Sequence, residues 1–393
     1  MQIKTLLQKE IQNFIDDNSE TNVAALALQK NPFPKVNWIE ILNQINVKQK
    51  AKSKLPYWFK TKNILYPTKI SIEQTSSEKT AQYKSQLVSG EKLIDLTGGF
   101  GVDDYYFSKR TNQVFHCEIN DELSKIVTHN FVQLNANNIQ CIAGDSYETL
   151  QNLNQKFDWI YIDPSRRNEA KGKVFMLKDC LPNVPDFLDF YFENASNIMI
   201  KTAPILDITA GLSELKNVKA IHIVAVENEV KELLWILEKN HSKAMQIVTA
   251  NILKDKIEEF SFDYQNEKLV NYSLPKKYIY EPNAAIMKSG GFDEIATQFK
   301  IEKLHQHSHL YTSDTLINFP GRIFEMQNCI SYNKTEMKLH LENKKANITT
   351  RNFHDSVETI RKKWKIKDGG NLFCFFTIDA NNNKIVLLCD KLK

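Results

Sequence analysis

The sequence predicts an α/β chain: an open, mostly parallel sheet in its middle, helices before it and small α+β modules after it. Three observations carry this. Apolar runs of strand length recur at 92–96, 113–118, 139–143, 157–162, 197–201, 220–226 and 245–249. Helical patterns separate the earlier runs, as at 120–134 and 228–240, and strands alternating with helices build a parallel sheet. Four runs close on a carboxylate, at Asp95, Glu118, Asp145 and Asp163. In an open α/β sheet that gathers the four acids at one edge.

The chain has 393 residues, too many for one ordinary core, so several domains are expected. An apolar fraction of 42% and a charged fraction of 25% are those of globular chains. No apolar run is long enough to span a bilayer. The opening MQIKTLLQKEIQNFIDD turns polar early and lacks a small-residue cleavage site, so no signal peptide is expected. Six scattered cysteines without a C-x-x-C pair read as reduced thiols, and the expected compartment is the cytoplasm. A net charge of +4 says little by itself, but the charge is unevenly spread.

Residues 1–66 read as a helical N-terminal domain. Val23 to Leu28 (VAALAL) holds strong helix formers, and Val36, Ile39, Leu42 and Ile45 recur at three-residue spacing on one helical face. From Ile41 to Ile72 there is no acidic residue, while lysines stand at 48, 50, 52, 54, 60, 62 and 69 with Tyr57, Trp58 and Phe59 among them. Thr75 to Glu78 (TSSE) is a capping-box pattern that predicts a helix from about 76 to 88. The sheet block follows, in a domain at 67–272. Pro275, Pro282 and the Gly290–Gly291 pair punctuate a break. A small module is expected at 273–322 and an α+β domain at 323–393. There, Phe353 to Lys365 reads as a helix, and Leu372–Ile378 with Lys384–Leu388 as a hairpin pair.

The stretch Leu93 to Asp103 (LIDLTGGFGVD) must hold something against its glycines. A phosphate loop needs Lys-Ser or Lys-Thr after its last glycine, and this one has neither. A dinucleotide fingerprint needs a third glycine at position 104, where Asp104 would oppose a pyrophosphate. The third reading is a loop for S-adenosylmethionine, which has no phosphate and carries a sulfonium and an ammonium. An acid before the glycines is then an asset, and Asp95 fits. Glu118, 23 positions on, can take both ribose hydroxyls. Asp145, followed by Ser146, can accept from the adenine amino group.

The sequence here resembles the class I S-adenosylmethionine-dependent methyltransferases, with their Rossmann-like sheet, over about 70–250. Thr97 replaces the first glycine of the commonest loop pattern, a variant frequent among RNA methyltransferases. The order of EQTSSEKTAQYK (73–84), DLTGGFGVD, YIDPSRR and IMIKTAPILDI (198–208) is similar to a family of bacterial methyltransferases with a C-terminal THUMP-like domain. Some members carry a small ferredoxin-like module before it. YIYEPNAAIMKSGG (278–291) and TTRNFHDSVETIRKKWKIKDGG (349–370) resemble those two modules. The resemblance implies S-adenosylmethionine held by Asp95, Thr97, Gly98, Gly99, Phe100, Gly101, Asp103, Glu118, Asp145 and Ser146.

Methyl transfer from a sulfonium is an in-line displacement, so the acceptor must be held with its lone pair aimed. In amino methyltransferases with a D/N-P-P-Y/F motif, the acid or amide and the proline carbonyl accept the amino hydrogens. Asp163 and Pro164 match its first two positions, while Ser165 and Arg166 replace the proline and the aromatic. Asp163, Pro164 and Arg166 are the catalytic candidates. The alternative is a buried Asp163 with arginine partners that only stabilise the loop. Arg166 and Arg167 can bind a phosphate or a guanine edge. Lys201 can place a substrate phosphate or simply be solvated. Lys52, Lys54 and Trp58, with Lys362 and Lys363 in the second run Arg361 to Lys367, combine phosphate attraction with stacking platforms, which points to RNA. The three imidazoles His305, His307 and His309 would share a face if on a strand, but no carboxylate or cysteine cluster adjoins them, and no metal is expected. His116, Cys117, Cys141 and Trp159 read as packing. The expected activity is methylation of a base nitrogen of rRNA or tRNA, with no membrane and no obligate protein partner. The alternatives are a protein or small-molecule acceptor, or an idle methyltransferase fold that binds RNA.

Overall fold

The computed structural model describes residues 3–67, 69–166, 176–265 and 268–392. Arg167 lies outside them, as do the side chains of Lys69 and Arg166. The chain forms two compact units, residues 1–219 with 233–243 and residues 220–232 with 244–393.

The first unit opens with seven helices: α1 (Ile3–Leu6), α2 (Lys9–Asp17), α3 (Val23–Ala27), α4 (Trp38–Lys54), α5 (Pro56–Lys60), α6 (Lys69–Gln74) and α7 (Glu78–Ser85). The cap of α7 is Ser77, whose hydroxyl accepts from Thr80 N, two residues beyond the expected Thr75. Strands then alternate with helices: β1 (Gly90–Asp95), α8 (Val102–Phe107), β2 (Thr111–Glu118), α9 (Asp121–Gln133), β3 (Ile139–Ala143), α10 (Ser146–Leu153) and β4 (Phe157–Ile162). The short pair β5 (Ser165–Arg166) and β6 (Cys180–Leu181) precedes α11 (Val184–Asn194), β7 (Ala195–Thr202) and α12 (Ile208–Glu214). Five strands of this unit lie in the order β7–β4–β1–β2–β3, each parallel to its neighbours. The order reverses between β1 and β4, the place where ligands bind in open α/β sheets, at the carboxyl ends of the strands.

One expectation fails. Residues 228–240 are not a helix but the strand β9 (Glu229–Glu238), antiparallel to β7. Leu233 to Leu237 are all buried, so the run carries no period that separates helix from strand. The deciding signal is the turn after β8 (Val218–Val226): Glu227 and Asn228 have φ of 48° and 66°, the paired left-handed geometry of a two-residue hairpin loop.

The N-terminal helices share one apolar core with the sheet's flanking helices. Ile41, Ile45, Leu55 and Trp58 cluster with Phe100, Val102 and Tyr105 and with Val127 and Phe131 of α9. Trp58 is fully buried, edge-on to Tyr105 at 4.9 Å between ring centroids. The aromatic run at 57–59 therefore braces α8, the helix that leaves the glycine loop.

In the second unit, β8 and β10 (Gln246–Ile252) are parallel and β11 (Ile257–Asp263) returns antiparallel. A seven-stranded sheet follows in the order β13–β14–β12–β15–β18–β17–β16. Its strands are β12 (Tyr278–Pro282), β13 (Glu302–Lys303), β14 (Tyr311–Ser313), β15 (Gly321–Ser331), β16 (Asn347–Thr350), β17 (Leu372–Ile378) and β18 (Lys384–Lys391). The helices α13 (Ala284–Ser289), α14 (Phe292–Phe299), α15 (Lys334–His340) and α16 (Val357–Trp364) complete it. Buried Glu281 of β12 pairs with Arg322 and with Arg351, at 2.7 Å from the latter, which fastens β12 to β15 and to the end of β16. Among the described residues no helix is long and apolar enough to cross a membrane.

Candidate active site

The glycine loop is built from β1 outward. After Asp95 the chain turns through Gly98, Gly99 and Gly101, the last two at φ of 56° and 72°. That is the left-handed region where a side chain is strained. A Cβ on Gly98 would stand 2.2 Å from His116 Cε1, and one on Gly101 2.5 Å from Phe131 Cζ. Beside Gly99 there is room, since a Cβ there would meet nothing nearer than Thr97 O at 3.7 Å. Two glycines thus seat the loop on the protein, and the third leaves its outer side open.

Thr97 explains why the loop lacks a first glycine. Its amide and hydroxyl donate to Asp95 Oδ1 at 2.7 and 3.0 Å, and the hydroxyl oxygen accepts from Asp163 N at 2.7 Å. One side chain so ties the end of β1 to the end of β4, across the point where the strand order reverses.

Beneath the loop lies a buried polar layer. Asp95 is 2% exposed, and the Oδ2 of fully buried Asp104 is 2.6 Å from His116 Nδ1. Burial, then the neighbouring charge of Asp104, pushes the Asp95 carboxyl well above its usual range; burial, then Asp103, does the same to Asp104. Burial pushes His116 down. Asp103 behaves differently. Burial alone would raise it, but Lys84 and Lys201 hold it below the usual value, with help from Ser76 and Tyr161. Ser76 Oγ and Tyr161 OH each donate to Asp103 Oδ2 at 2.8 Å, and Lys84, itself fully buried, lies 3.1 Å from Oδ1.

Above this layer are the more accessible acids. Gly99 N donates to Glu118 Oε2 at 2.9 Å and Asn120 N to Oε1 at 2.7 Å. Glu118 is part-exposed, and its oxygens keep lone pairs for ribose hydroxyls. Asp145 is exposed and caps α10, accepting from Tyr147 N and Glu148 N at 2.9 and 3.1 Å through Oδ1. Asp163 has its Oδ2 ion-paired with Lys201. Roomy Gly99, part-exposed Glu118 and exposed Asp145 with Ser146 fit S-adenosylmethionine.

Several expected contacts need correction. Asp95, Phe100 and Asp103 face inward: the carboxylates are engaged in the buried layer, and Phe100 sits in the core against Tyr66. They support the loop and do not line it. Lys201 is not solvated: it is mostly buried and ion-paired with Asp163. Trp58 offers no face for stacking. Three lysines of the acid-free run are neutralised in space: Lys48 pairs with Asp16, Lys50 with Glu73 and Lys52 with Glu20. Lys54 donates to the carbonyls of Ile72 and Glu73 at 3.1 and 2.7 Å. In the second run Trp364 and Ile366 are buried, while Lys362, Lys363, Lys365 and Lys367 are exposed. His305 to His309 form a turn rather than a strand, with His305 bonded to Asn352 and His309 stacked on Phe292. No group of three metal-ligating side chains forms among the described residues. Ser76, Lys84 and Tyr161 went unnoticed in the sequence, where only the strand and helix registers bring them to Asp103.

A ferredoxin-like domain family matches residues 278–320 and a THUMP domain-like family matches residues 321–391. Among solved structures, a candidate methyltransferase from Porphyromonas gingivalis W83 is 29% identical, with 99% of each chain covered and a TM-score of 0.88. TrmK of M. capricolum, solved in complex with S-adenosyl-homocysteine, is 14% identical over 41% of this chain and 68% of its own, with a TM-score of 0.33. The tRNA m1G37 methyltransferase of M. jannaschii is 12% identical over 46% of this chain and 52% of its own, with a TM-score of 0.32. The last two likenesses are too small to carry an argument. No curated protein matches the chain.

Proposed function

We propose that this chain, a methyltransferase-like α/β sheet with N-terminal helices and ferredoxin-like and THUMP-like domains after it, moves a methyl group from S-adenosylmethionine to a base nitrogen of RNA. One observation carries the reading. At the reversal of strand order, the open side of the Gly99 loop is joined to Glu118, and Asp163 is held beside it through Thr97. Bound there, S-adenosylmethionine supplies a methyl on a sulfonium. Glu118 takes the ribose hydroxyls, Asp145 and Ser146 the adenine end, and Asp163 with the Pro164 carbonyl the hydrogens of the acceptor nitrogen. RNA as acceptor is supported by the exposed lysines of α16 and its flank and by the THUMP-like match. The cytoplasm is the expected compartment.

The test is transfer of radiolabelled methyl to total RNA from a deletion strain, followed by nucleoside mass spectrometry. Label on one base, lost with Asp163→Ala while cofactor affinity persists, is the expected result. Label in protein or small molecules, or none at all, overturns the reading and favours another acceptor or an idle fold.

A further inference from the structure

We infer that Lys201 is a positioning residue: it fixes the Asp163 carboxylate through Oδ2 so that Oδ1 meets the nitrogen to be methylated. This rests on the proposed function and deepens it.

The pairing comes from strand register. Ile162 of β4 is the parallel partner of Ile200 of β7, so the next residues out, Asp163 and Lys201, stand side by side at the carboxyl edge. Their side chains are 38% and 12% exposed, which puts the ammonium below and the carboxylate toward solvent. The backbone of Asp163 is held independently, by its amide on Thr97 Oγ1. Behind the pair, Asp103 is pinned by Ser76, Tyr161 and Lys84, and the Lys201 charge lowers its carboxyl. Leaving for a phosphate would strip Lys201 from the Asp163 carboxylate. The carboxylate is therefore preset before RNA arrives, and ordering it costs nothing at the moment of reaction.

The resulting chemistry is specific. An ion-paired Asp163 serves as a hydrogen-bond acceptor and not as a base. The nitrogen lone pair forms the N–C bond, the C–S pair stays on sulfur, and the proton lost from nitrogen goes to water. The acceptor must then bear hydrogens for both Asp163 Oδ1 and the Pro164 carbonyl, which an exocyclic amino group does and an unprotonated ring nitrogen does not.

The experiment is a double-mutant cycle with Lys201→Met and Asp163→Asn, with Lys201→Arg as the rescue. Turnover, KM for RNA, cofactor affinity by calorimetry and thermal midpoint are read for each. Loss of orientation should lower kcat of Lys201→Met by about 10²-fold. KM, cofactor affinity and midpoint should stay near wild type, Lys201→Arg should recover most of the rate, and Lys201→Met should add little to Asp163→Asn. A raised KM with kcat intact makes Lys201 a phosphate contact and overturns the inference. Equal loss of rate, affinity and midpoint, without rescue by arginine, makes it structural and overturns it too. A wild-type protein that methylates no RNA overturns the proposed function and this inference together. An active wild type with an unaffected Lys201→Met overturns this inference alone.

Discussion

The amide of Gly99 donates to Glu118 at 2.9 Å, so the glycine loop and the end of β2 reach the site as one piece. Removing the carboxylate releases the loop as well as the ribose. Glu118→Ala should weaken S-adenosylmethionine binding by roughly 1.5–3 kcal/mol, the worth of hydrogen bonds to a charged group. Titration calorimetry checks this, and unchanged affinity would move the ribose elsewhere.

Trp58 should matter to folding and not to RNA. Its indole is fully buried against Tyr105, and truncating such a residue costs about 3–5 kcal/mol. Trp58→Ala should therefore lower the denaturant midpoint sharply. RNA affinity of the fraction still folded should not change. Selective loss of RNA binding at full stability would restore Trp58 as a stacking platform.

The buried pair Asp95 and Asp104 should leave a signature in the pH dependence of stability. Each carboxyl titrates above its unfolded value of about 4. Between the two values the folded chain binds more protons than the unfolded chain, so their contribution is full below about pH 4 and is lost as pH rises through the folded value. His116 has the opposite sign: its folded value lies below about 6.5, and its contribution is lost as pH falls through that window. Asp104→Asn cannot ionise and can still accept from His116. As pH rises from about 4, urea midpoints should decline less steeply for Asp104→Asn than for wild type. Parallel curves would show that Asp104 is ionised in the folded protein.

RNA affinity should fall with salt, with a log–log slope of about −0.7 per neutralised phosphate for a single strand. Lys362 and Lys367 are exposed on α16 and its flank. Reversing both charges should flatten the slope by about 1.4 if each meets one phosphate. Lys52→Glu should change little, because Glu20 already neutralises that lysine. Filter binding over a salt series separates the outcomes. A slope set by Lys52 and not by Lys362 would return the RNA to the N-terminal helices.

The strands of the first unit were legible because each apolar run ends on a chemically marked residue, as Ile94 does on Asp95 and Ile162 on Asp163. β9 was not, since a strand buried on both faces has no period to read. The site was legible as a set of acids but not as layers. Nothing local separates part-exposed Glu118 from Asp95, which is 2% exposed. The acid-free run misled for a related reason: its partners Asp16, at the end of α2, and Glu20, just after it, lie more than twenty residues away in sequence and come close only in the fold. The Lys201–Asp163 pair needed the register of β4 on β7, which composition does not encode.

The two C-terminal family matches meet between residues 320 and 321, yet that point is no seam. Gly321, the first residue of β15, is the partner of Pro282 in β12, so the boundary separates two strands that pair with each other. Gly321 also has backbone so near that a Cβ would stand 2.2 Å from Glu281 O. Cutting the gene there would leave each half with a bare strand edge, which invites self-association. Buried Glu281 would lose both of its arginines. The two modules of this chain thus share one sheet, and a copy cut down to just one of them should come out of the ribosome aggregation-prone.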